Sequence, residues 1–273
     1  MISAFKTIYG GANNNPVLSS ANWTGNVATC NAGDPSSAFK EAVIRRINYY
    51  RAMAGLPNVT WTSDSSKAAN AQVAALMMAA NGQLSHGPPN TWKCYSDAGK
   101  SGAGSSNLAG GNDGPDAMDA YMRDNGGNNA PVGHRRWMLY PPRLEMASGD
   151  VPNWNALFVF GKTGSRPSSP SFVPYPNPGF FPRPLNSLRW SFSMPGANFT
   201  NATVSVNQGS SGVTANVVHR GGGYGDPSLV WEMPSTAFQN PSNTDQRFDV
   251  TLENVVVSGA AKSFSYSVTL VNP

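Results

Sequence analysis

The chain has 273 residues, of which 40% are apolar and 12% are charged, with 28 glycines, 22 prolines and seven tryptophans. This apolar content excludes a disordered protein, and a formal net charge of +4 without a long basic run makes nucleic acid a poor candidate partner. The low charge and the many glycines and prolines are typical of a secreted protein with long ordered loops. No stretch approaches the roughly 18 apolar residues of a membrane helix. Residues 1–4 show no signal segment, so we expect a secreted protein whose signal has been removed rather than an intracellular one.

An irregular arm rich in Gly and Asn, residues 1–33, is predicted to precede a first domain at residues 34–163. Asp34-Pro35 predicts the start of its first helix, with Asp as N-cap and Pro at the first helical position. Apolar residues at four-residue spacing then form one face of this helix, and Gly55 ends it.

A second helix, rich in alanine, is predicted to begin after a cap at Ser63 or Asp64 and to stop at Gly82. Residues 83–115 show little periodicity, and a loop of this length is usually functional or wrongly assigned. Pro115 opens a third, short helix, and residues 154–160 predict a buried central strand.

A second domain is predicted at residues 188–273, after a stiff Pro-rich linker at residues 164–187. In the second domain the period changes from helical to two, with short alternating runs separated by Gly, Asn, Ser and Pro. Several short strands with one apolar face each indicate a β-sandwich of immunoglobulin or fibronectin type. No cysteine pair crosses it, so the likeness concerns the architecture alone.

The two cysteines, Cys30 and Cys94, lie in predicted loops. They form either one disulfide, which requires an oxidising compartment, or two free buried thiols. Their even count and their position in loops favour the disulfide.

The three histidines are the main candidates for chemistry. His86 follows the Ala-rich helix, His134 follows a Gly/Asn loop, and both are predicted to meet in one cleft, whereas His219 is interpreted as a surface strand residue. Such a pair is suited to bind Zn²⁺ or to act as acid and base, with Asp124 or Glu145 as the carboxylate that orients an imidazole or binds the metal. The plainer alternative is that each loop histidine only satisfies local hydrogen bonds.

Five short motifs occur in an order that resembles the CAP superfamily (cysteine-rich secretory proteins, antigen 5, pathogenesis-related 1) in its bacterial form. They are Arg45-Arg46-Ile47-Asn48, Gly55-Leu56-Pro57, Leu84-Ser85-His86, Ser106-Asn107-Leu108-Ala109 and Gly133-His134-Arg135. The resemblance covers roughly residues 35–162. It implies an α+β fold, a three-layer α-β-α sandwich with a central antiparallel sheet, in which His86 and His134 line an exposed cleft.

The chain departs from the family at one acidic position. Residues 105–109 read Ser-Ser-Asn-Leu-Ala where the family usually has Gly-Glu-Asn-Ile-Ala, so Ser106 stands in place of a site glutamate. The second acidic position follows an aromatic residue by three, and Tyr121 with Asp124 fits it. A hydroxyl is not a general base near neutral pH, so this change weakens a catalytic reading. The candidate catalytic residues are His86, His134, Asp124 and Glu145, and the candidate ligand-binding residues are Ser106, Asn107, Tyr121 and Arg135.

Arg135 could bind an anionic ligand, although adjacent arginines more often pair with acids or lie on a solvated face. Three functions follow from these residues. The first is a secreted module that binds a small molecule, lipid or cell-wall fragment, together with a divalent metal, in the His86/His134 cleft. The second is a zinc-dependent extracellular hydrolase of peptides or esters, and the third is a structural or interaction protein that acts through the β-sandwich. The oligomeric state stays open.

Overall fold

A computed structural model describes residues 2–10, 16, 18, 23–240 and 242–273. Within these ranges, no helix combines the length and the apolar character that crossing a bilayer requires.

The N-terminal arm begins with a helix, α1 (Ile2–Gly10), so the prediction of an irregular arm is wrong for these residues. Phe5, Ile8 and Tyr9 pack against the core at helical spacing, a signal too short to stand out in the sequence. The Tyr9 hydroxyl lies 2.8 Å from Asp119 Oδ1, which ties α1 to the first domain. Most of residues 11–22 lie outside the described part of the chain.

The first domain contains the helices α2 (Ser37–Met53), α3 (Ser65–Asn81), α4 (Asp97–Gly104), α5 (Gly114–Arg123) and α6 (Gly133–Met138). Ser36, rather than the predicted Asp34, caps α2 by accepting a hydrogen bond from the Phe39 backbone N–H. Asp64 caps α3 as expected, and Gly82 ends α3 in a left-handed conformation with φ of 62°. α4 lies inside the stretch that the sequence indicates as a loop.

A central sheet holds β1 (Thr60–Trp61), β2 (Ser106–Gly110), β3 (Glu145–Val151) and β4 (Trp154–Phe158). Its strand order is β1-β3-β4-β2, in which β1 runs parallel to β3 and the other pairs are antiparallel. At Gly149, one face of β3 packs so closely on α3 that an added Cβ would meet the Ala71 backbone. At the next residue, the Asp150 carboxylate accepts a hydrogen bond from the Gly114 N–H at the start of α5. Neighbouring strand residues point to opposite faces, so helices cover both sides of the sheet. This arrangement fits the expected α+β class.

The disulfide prediction is confirmed, because Cys30 and Cys94 are bonded across a sequence separation of 64 residues. The bond fixes the segment before α2 to the loop between α3 and α4. Closing a chain segment of this length lowers the entropy of the unfolded state.

The second domain consists of strands arranged in two sheets. They are β5 (Val173–Tyr175), β6 (Gly179–Pro182), β7 (Arg189–Ser193), β8 (Ala197–Asn198), β9 (Thr203–Gln208), β10 (Ser211–Val213), β11 (Asn216–Gly221), β12 (Ser228–Glu232), β13 (Gln246–Val257) and β14 (Ala260–Val271). One sheet has the order β10-β9-β13-β14-β6, with β8 also paired to β13, and the other has the order β11-β12-β7-β5. Phe192 of β7 lies 5.3 Å from Phe264 of β14, and Trp190 lies 5.6 Å from Phe248 of β13, between ring centroids. The two sheets therefore pack face to face.

Two strands, β5 and β6, fall within the predicted Pro-rich linker at residues 164–187. β5 pairs with β7, and β6 pairs in parallel with β14, so each lies at an edge of its sheet. Prolines are tolerated on edge strands, where a missing N–H breaks no ladder. The proline content therefore marks strand edges here, and the second domain begins before residue 188.

Buried arginines join the two domains. The Arg189 guanidinium donates to the carbonyl oxygens of Asp124 (2.9 Å) and Gly126 (3.2 Å). The Arg135 guanidinium donates to Ser191 Oγ on β7 (3.1 Å). These bonds fix the second domain against α5 and α6, the elements that carry the candidate site.

Candidate functional site

A cavity of about 630 Å³ opens at the edge of the first domain. Its walls come from the ends of α3 and α4, from β2, from the loop before α6, from α6 itself and from the segment after β4. The described residues that line it are Leu84, Ser85, His86, Gly104, Ser106, Asn107, Leu108, Asn128, Asn129, Pro131, Gly133, His134, Trp137, Val159, Phe160 and Tyr224. The structure thus places His86 and His134 at one cavity, although 47 positions separate them in the sequence.

His134 is held by Asp124. Its Nδ1 lies 2.8 Å from Asp124 Oδ1, while Asp124 Oδ2 accepts from the backbone N–H groups of His134 (3.0 Å) and Arg135 (3.3 Å). The Asp124 side chain has no exposed surface and occupies the C-cap of α5, with φ of 48°. A carboxylate only accepts hydrogen bonds, so Nδ1 carries a hydrogen, and in the neutral form of the ring Nε2 is an acceptor.

His86 has the same arrangement with a different partner. Its Nδ1 lies 2.9 Å from the carbonyl oxygen of Ala103, in the last turn of α4. A carbonyl oxygen also only accepts, so Nδ1 donates and Nε2 is left as an acceptor for a ligand. Both imidazoles therefore have a fixed orientation and one unused nitrogen.

Ser106 and Asn107 lie at the start of β2, between His86 and His134 in sequence order. They form a buried polar floor of the cavity. The Ser106 hydroxyl has no hydrogen-bond partner among the described residues, although the residue is only 4% exposed. Asn107 Nδ2 donates to the His134 carbonyl oxygen (3.0 Å). A buried hydroxyl without a partner is costly, so Ser106 is suited to bind a polar group of a ligand.

Residues 44–160 match the model of the family described as CAP: Cysteine-rich secretory protein family. The chain contains a CAP domain. This match confirms the resemblance to the CAP superfamily over residues 44–160, which include His86, Ser106, Asp124 and His134. No curated protein matches the chain.

Tyr121 and Asp124 support the CAP cavity from behind, and neither is among its lining residues. The Tyr121 hydroxyl lies 2.8 Å from Asn155 Oδ1, and its ring centroid lies 5.2 Å from that of His134. Burial raises the pKa of Tyr121 well above its usual value, so the hydroxyl keeps its hydrogen and donates. Tyr121 therefore packs behind the His134 ring and does not line the cavity, and its part in ligand binding stays a prediction.

Glu145 does not lie at the cavity. Its carboxylate accepts hydrogen bonds from the Thr62 hydroxyl (3.1 Å) and the Ser63 hydroxyl (3.1 Å) beside β1. In the strand order β1-β3-β4-β2, this is the edge opposite to the β2 strand that carries Ser106. Sheet order thus separates Glu145 from the histidines, and its role as a second catalytic acid stays a prediction.

Arg135 is not among the described residues that line the cavity, and its part in ligand binding stays a prediction. Its guanidinium donates to the carbonyl oxygens of Met122 (2.6 Å) and Arg123 (3.0 Å) and lies 4.2 Å from the Tyr175 ring centroid. Burial lowers the pKa of Arg135 to about 10, which leaves it charged at neutral pH. Its role is to join the CAP domain to the second domain.

Aromatic residues at the rim were missed by sequence reasoning. Trp137 lines the cavity and packs edge-on against Phe160 at 4.8 Å between ring centroids. Tyr224 comes from the second domain, from the loop between β11 and β12. The glycines around Tyr224 are the available signal, because an aromatic residue in a Gly-rich loop is exposed unless another surface covers it.

The donors present do not complete a zinc site. Among the described residues, no group of three or more His, Cys, Asp and Glu side chains is placed to hold a metal ion. Zinc sites usually have roughly three or four protein ligands. The two imidazoles could supply two, while the Asp124 carboxylate is already occupied by three N–H groups.

Proposed function

We propose that the protein is a secreted binding module whose CAP domain holds a small organic ligand in the cavity lined by His86 and His134. The observation that carries this proposal is the state of the polar groups at that cavity. Both imidazoles use Nδ1 internally and keep Nε2, and the buried Ser106 hydroxyl keeps its full hydrogen-bonding capacity.

Fixed rings favour binding, because a ligand loses less free energy when its partners are already ordered. The volume of about 630 Å³ lies within the roughly 300–1,000 Å³ of small-molecule sites. Ser106 replaces an acid at this position, and Glu145 lies elsewhere, so the cavity lacks a free carboxylate to act as base among its described lining residues. This supports binding over hydrolysis.

The test is a binding screen of the full chain by saturation-transfer NMR with palmitic acid, cholesterol and neutral oligosaccharides. We expect at least one saturable ligand, with Kd raised about fivefold by His86→Ala, since one hydrogen bond contributes about 1 kcal/mol. Phe180→Ala, which truncates an exposed aromatic side chain on β6 outside the cavity, is the control. Absence of saturable binding across the panel, or equal binding by the His86 variant, would overturn the proposal.

A zinc-dependent hydrolase is the second candidate, favoured by the two unused Nε2 atoms. Two imidazoles fall short of the ligand set of a catalytic zinc site, so we derive no reaction step from them. Zinc titration followed by calorimetry separates the two functions. Stoichiometric binding that His134→Ala abolishes, together with zinc-dependent cleavage of an ester, would favour the hydrolase.

Two further proposals concern location and the second domain. The disulfide Cys30–Cys94 supports a secreted protein, because disulfides persist in oxidising compartments. The two packed sheets support an immunoglobulin- or fibronectin-like sandwich. Because Arg189 and Ser191 bind CAP residues across the domain boundary, we assign the sandwich to the support of the cavity before any separate role in interaction.

A further inference from the structure

The rim of the cavity is aromatic and belongs to both domains. Phe160 is 47% exposed and Tyr224 is 42% exposed, and Trp137 lines the cavity and packs edge-on against Phe160. Exposed aromatic side chains around a concave site offer flat apolar faces to a ligand. The nature of the ligand can therefore be read from the rim and the floor together.

Tyr224 is held in place by CAP residues. Arg136 Nη2 donates to the carbonyl oxygens of Gly221 (3.1 Å) and Asp226 (2.6 Å), which lie on either side of Tyr224 in the loop. A Cβ at Gly133 would lie 2.8 Å from Tyr224 Cδ1, so the tyrosine ring rests on the backbone next to His134. The second domain thus supplies a wall of the site at a defined position.

While the two imidazoles are neutral, the described residues that line the cavity offer no counter-charge to an ionic ligand. None of its described lining residues is Asp, Glu, Lys or Arg. An ionised ligand would lose hydration without gaining an ion pair, which is unfavourable. This argues for a neutral ligand.

The floor in turn argues against a purely aliphatic ligand. Such a ligand would cover the Ser106 hydroxyl and the Nε2 atoms of His86 and His134 without bonding to them. Each buried polar group left unpaired costs free energy, so the floor requires hydroxyl or amide groups on the ligand. A pyranose ring has both features, since it carries hydroxyls at its edge and C–H groups on its face.

We infer that the cavity binds a neutral saccharide, with Tyr224 of the second domain as an aromatic platform and Ser106 as a hydrogen-bonding partner on the floor. This rests on the proposed function, and it adds the ligand class and a residue outside the CAP domain. The sugar ring packs on the aromatic rim, and its hydroxyls bond to Ser106 Oγ and to the imidazole Nε2 atoms.

The test is calorimetric titration of the full chain with cellotriose and with chitotriose. We expect saturable binding of at least one, with Kd raised about 10-fold by Tyr224→Ala and unchanged within about twofold by Tyr224→Phe, which keeps the ring. Ser106→Ala should raise Kd about 5- to 10-fold without lowering Tm, because its hydroxyl makes no bond within the described part of the protein. Phe180→Ala, an aromatic 62% exposed on β6 and outside this cavity, is the matched control.

The outcomes separate this inference from the proposed function. Binding of palmitic acid or cholesterol that depends on His86, with neither saccharide bound, would overturn the inference and leave the proposed function intact. Saccharide binding that Tyr224→Ala or Ser106→Ala does not weaken would overturn the assignment of these residues to the saccharide site. If no compound of the panel binds, both conclusions fail.

Discussion

Asp124→Asn tests how the CAP cavity is built, because it changes one oxygen to nitrogen without changing shape. Asp124 has a left-handed φ of 48°, a conformation that Asn tolerates as well as Asp, so the backbone gains no strain. The native carboxylate accepts three N–H groups, from His134 Nδ1, the His134 backbone and the Arg135 backbone. An amide has one accepting oxygen and one donating nitrogen.

We therefore expect the His134 ring to change its tautomer. If the oxygen of the new side-chain amide keeps the two backbone N–H groups, the NH₂ of that amide donates to Nδ1 and moves the ring hydrogen to Nε2. The nitrogen that faces ligands then becomes a donor, which reverses its hydrogen-bonding role. Three charge-assisted bonds also become neutral, each losing about 1 kcal/mol, and the relief of burying a charge returns part of this. We estimate a net loss of about 2 kcal/mol and a fall in Tm of about 5 °C.

The assay is a long-range ¹H–¹⁵N correlation of ¹⁵N-histidine-labelled protein, which distinguishes the protonated ring nitrogen. His86, whose Nδ1 faces the Ala103 carbonyl, is the internal control and should keep its tautomer in the variant. The reasoning is refuted if His134 keeps its hydrogen on Nδ1 and the unfolding midpoint is unchanged.

Three other predictions concern other parts of the molecule. Gly133→Ala should displace Tyr224, because the new Cβ would lie 2.8 Å from its ring, and should raise the Kd of a cavity ligand about fivefold in the titration above. Burial raises the pKa of Asp150 to about 6, against the hydrogen bonds that lower it. This folded-state pKa lies above the unfolded value of about 3.9. The protonated carboxyl therefore stabilises the fold fully below pH ~3.9, and this contribution is lost as pH rises through ~6. We expect the free energy of unfolding in urea to fall by about 3 kcal/mol over this range. Replacing Cys30 and Cys94 together by Ala should lower the free energy of unfolding by about 3 kcal/mol in the same assay.

Each of these has a control. Gly222→Ala adds a Cβ with nothing within 4 Å in the same loop as Tyr224 and should bind ligand like the native protein. Asp150→Asn removes the titrating group, so the difference between the two stability-against-pH curves isolates Asp150, and parallel curves would contradict its raised pKa. For the cysteines, a reducing agent should lower the stability of the native protein to that of the double variant, and equal stability before reduction would exclude a contribution from the bond.

Local sequence patterns were sufficient to predict those elements whose structure depends on residues close by in the chain. The four-residue apolar spacing and the caps predicted α2 and α3, and alternation predicted strands in the second domain. The cysteine pair and the convergence of His86 and His134 on one cavity also follow the sequence reading. The prediction of the cavity, however, depended on the order of the family motifs, since two loop histidines alone are a weak signal.

Other features depend on the tertiary structure and left little trace in the sequence. α4 contains three glycines among eight residues, so its helical pattern is weak, and it is held by packing against α3. The proline-rich segment around β5 suggested a linker, because composition does not show that β5 pairs with β7 at the edge of a sheet. Glu145 was a reasonable acid until the strand order placed it at the far edge of the sheet. Tyr224 joins the cavity solely through the docking of the second domain.

His134, Arg135 and Arg136 are consecutive residues on a single turn of α6. The first faces the cavity, while the guanidinium groups of the other two hold β7 and the loop that carries Tyr224. A rotation of the second domain would pull directly on the turn that carries the imidazole, with no flexible segment between them to absorb it. The angle between the domains and the width of the cavity are therefore expected to change together. A molecule that widens the cavity would also shift the contacts between the domains.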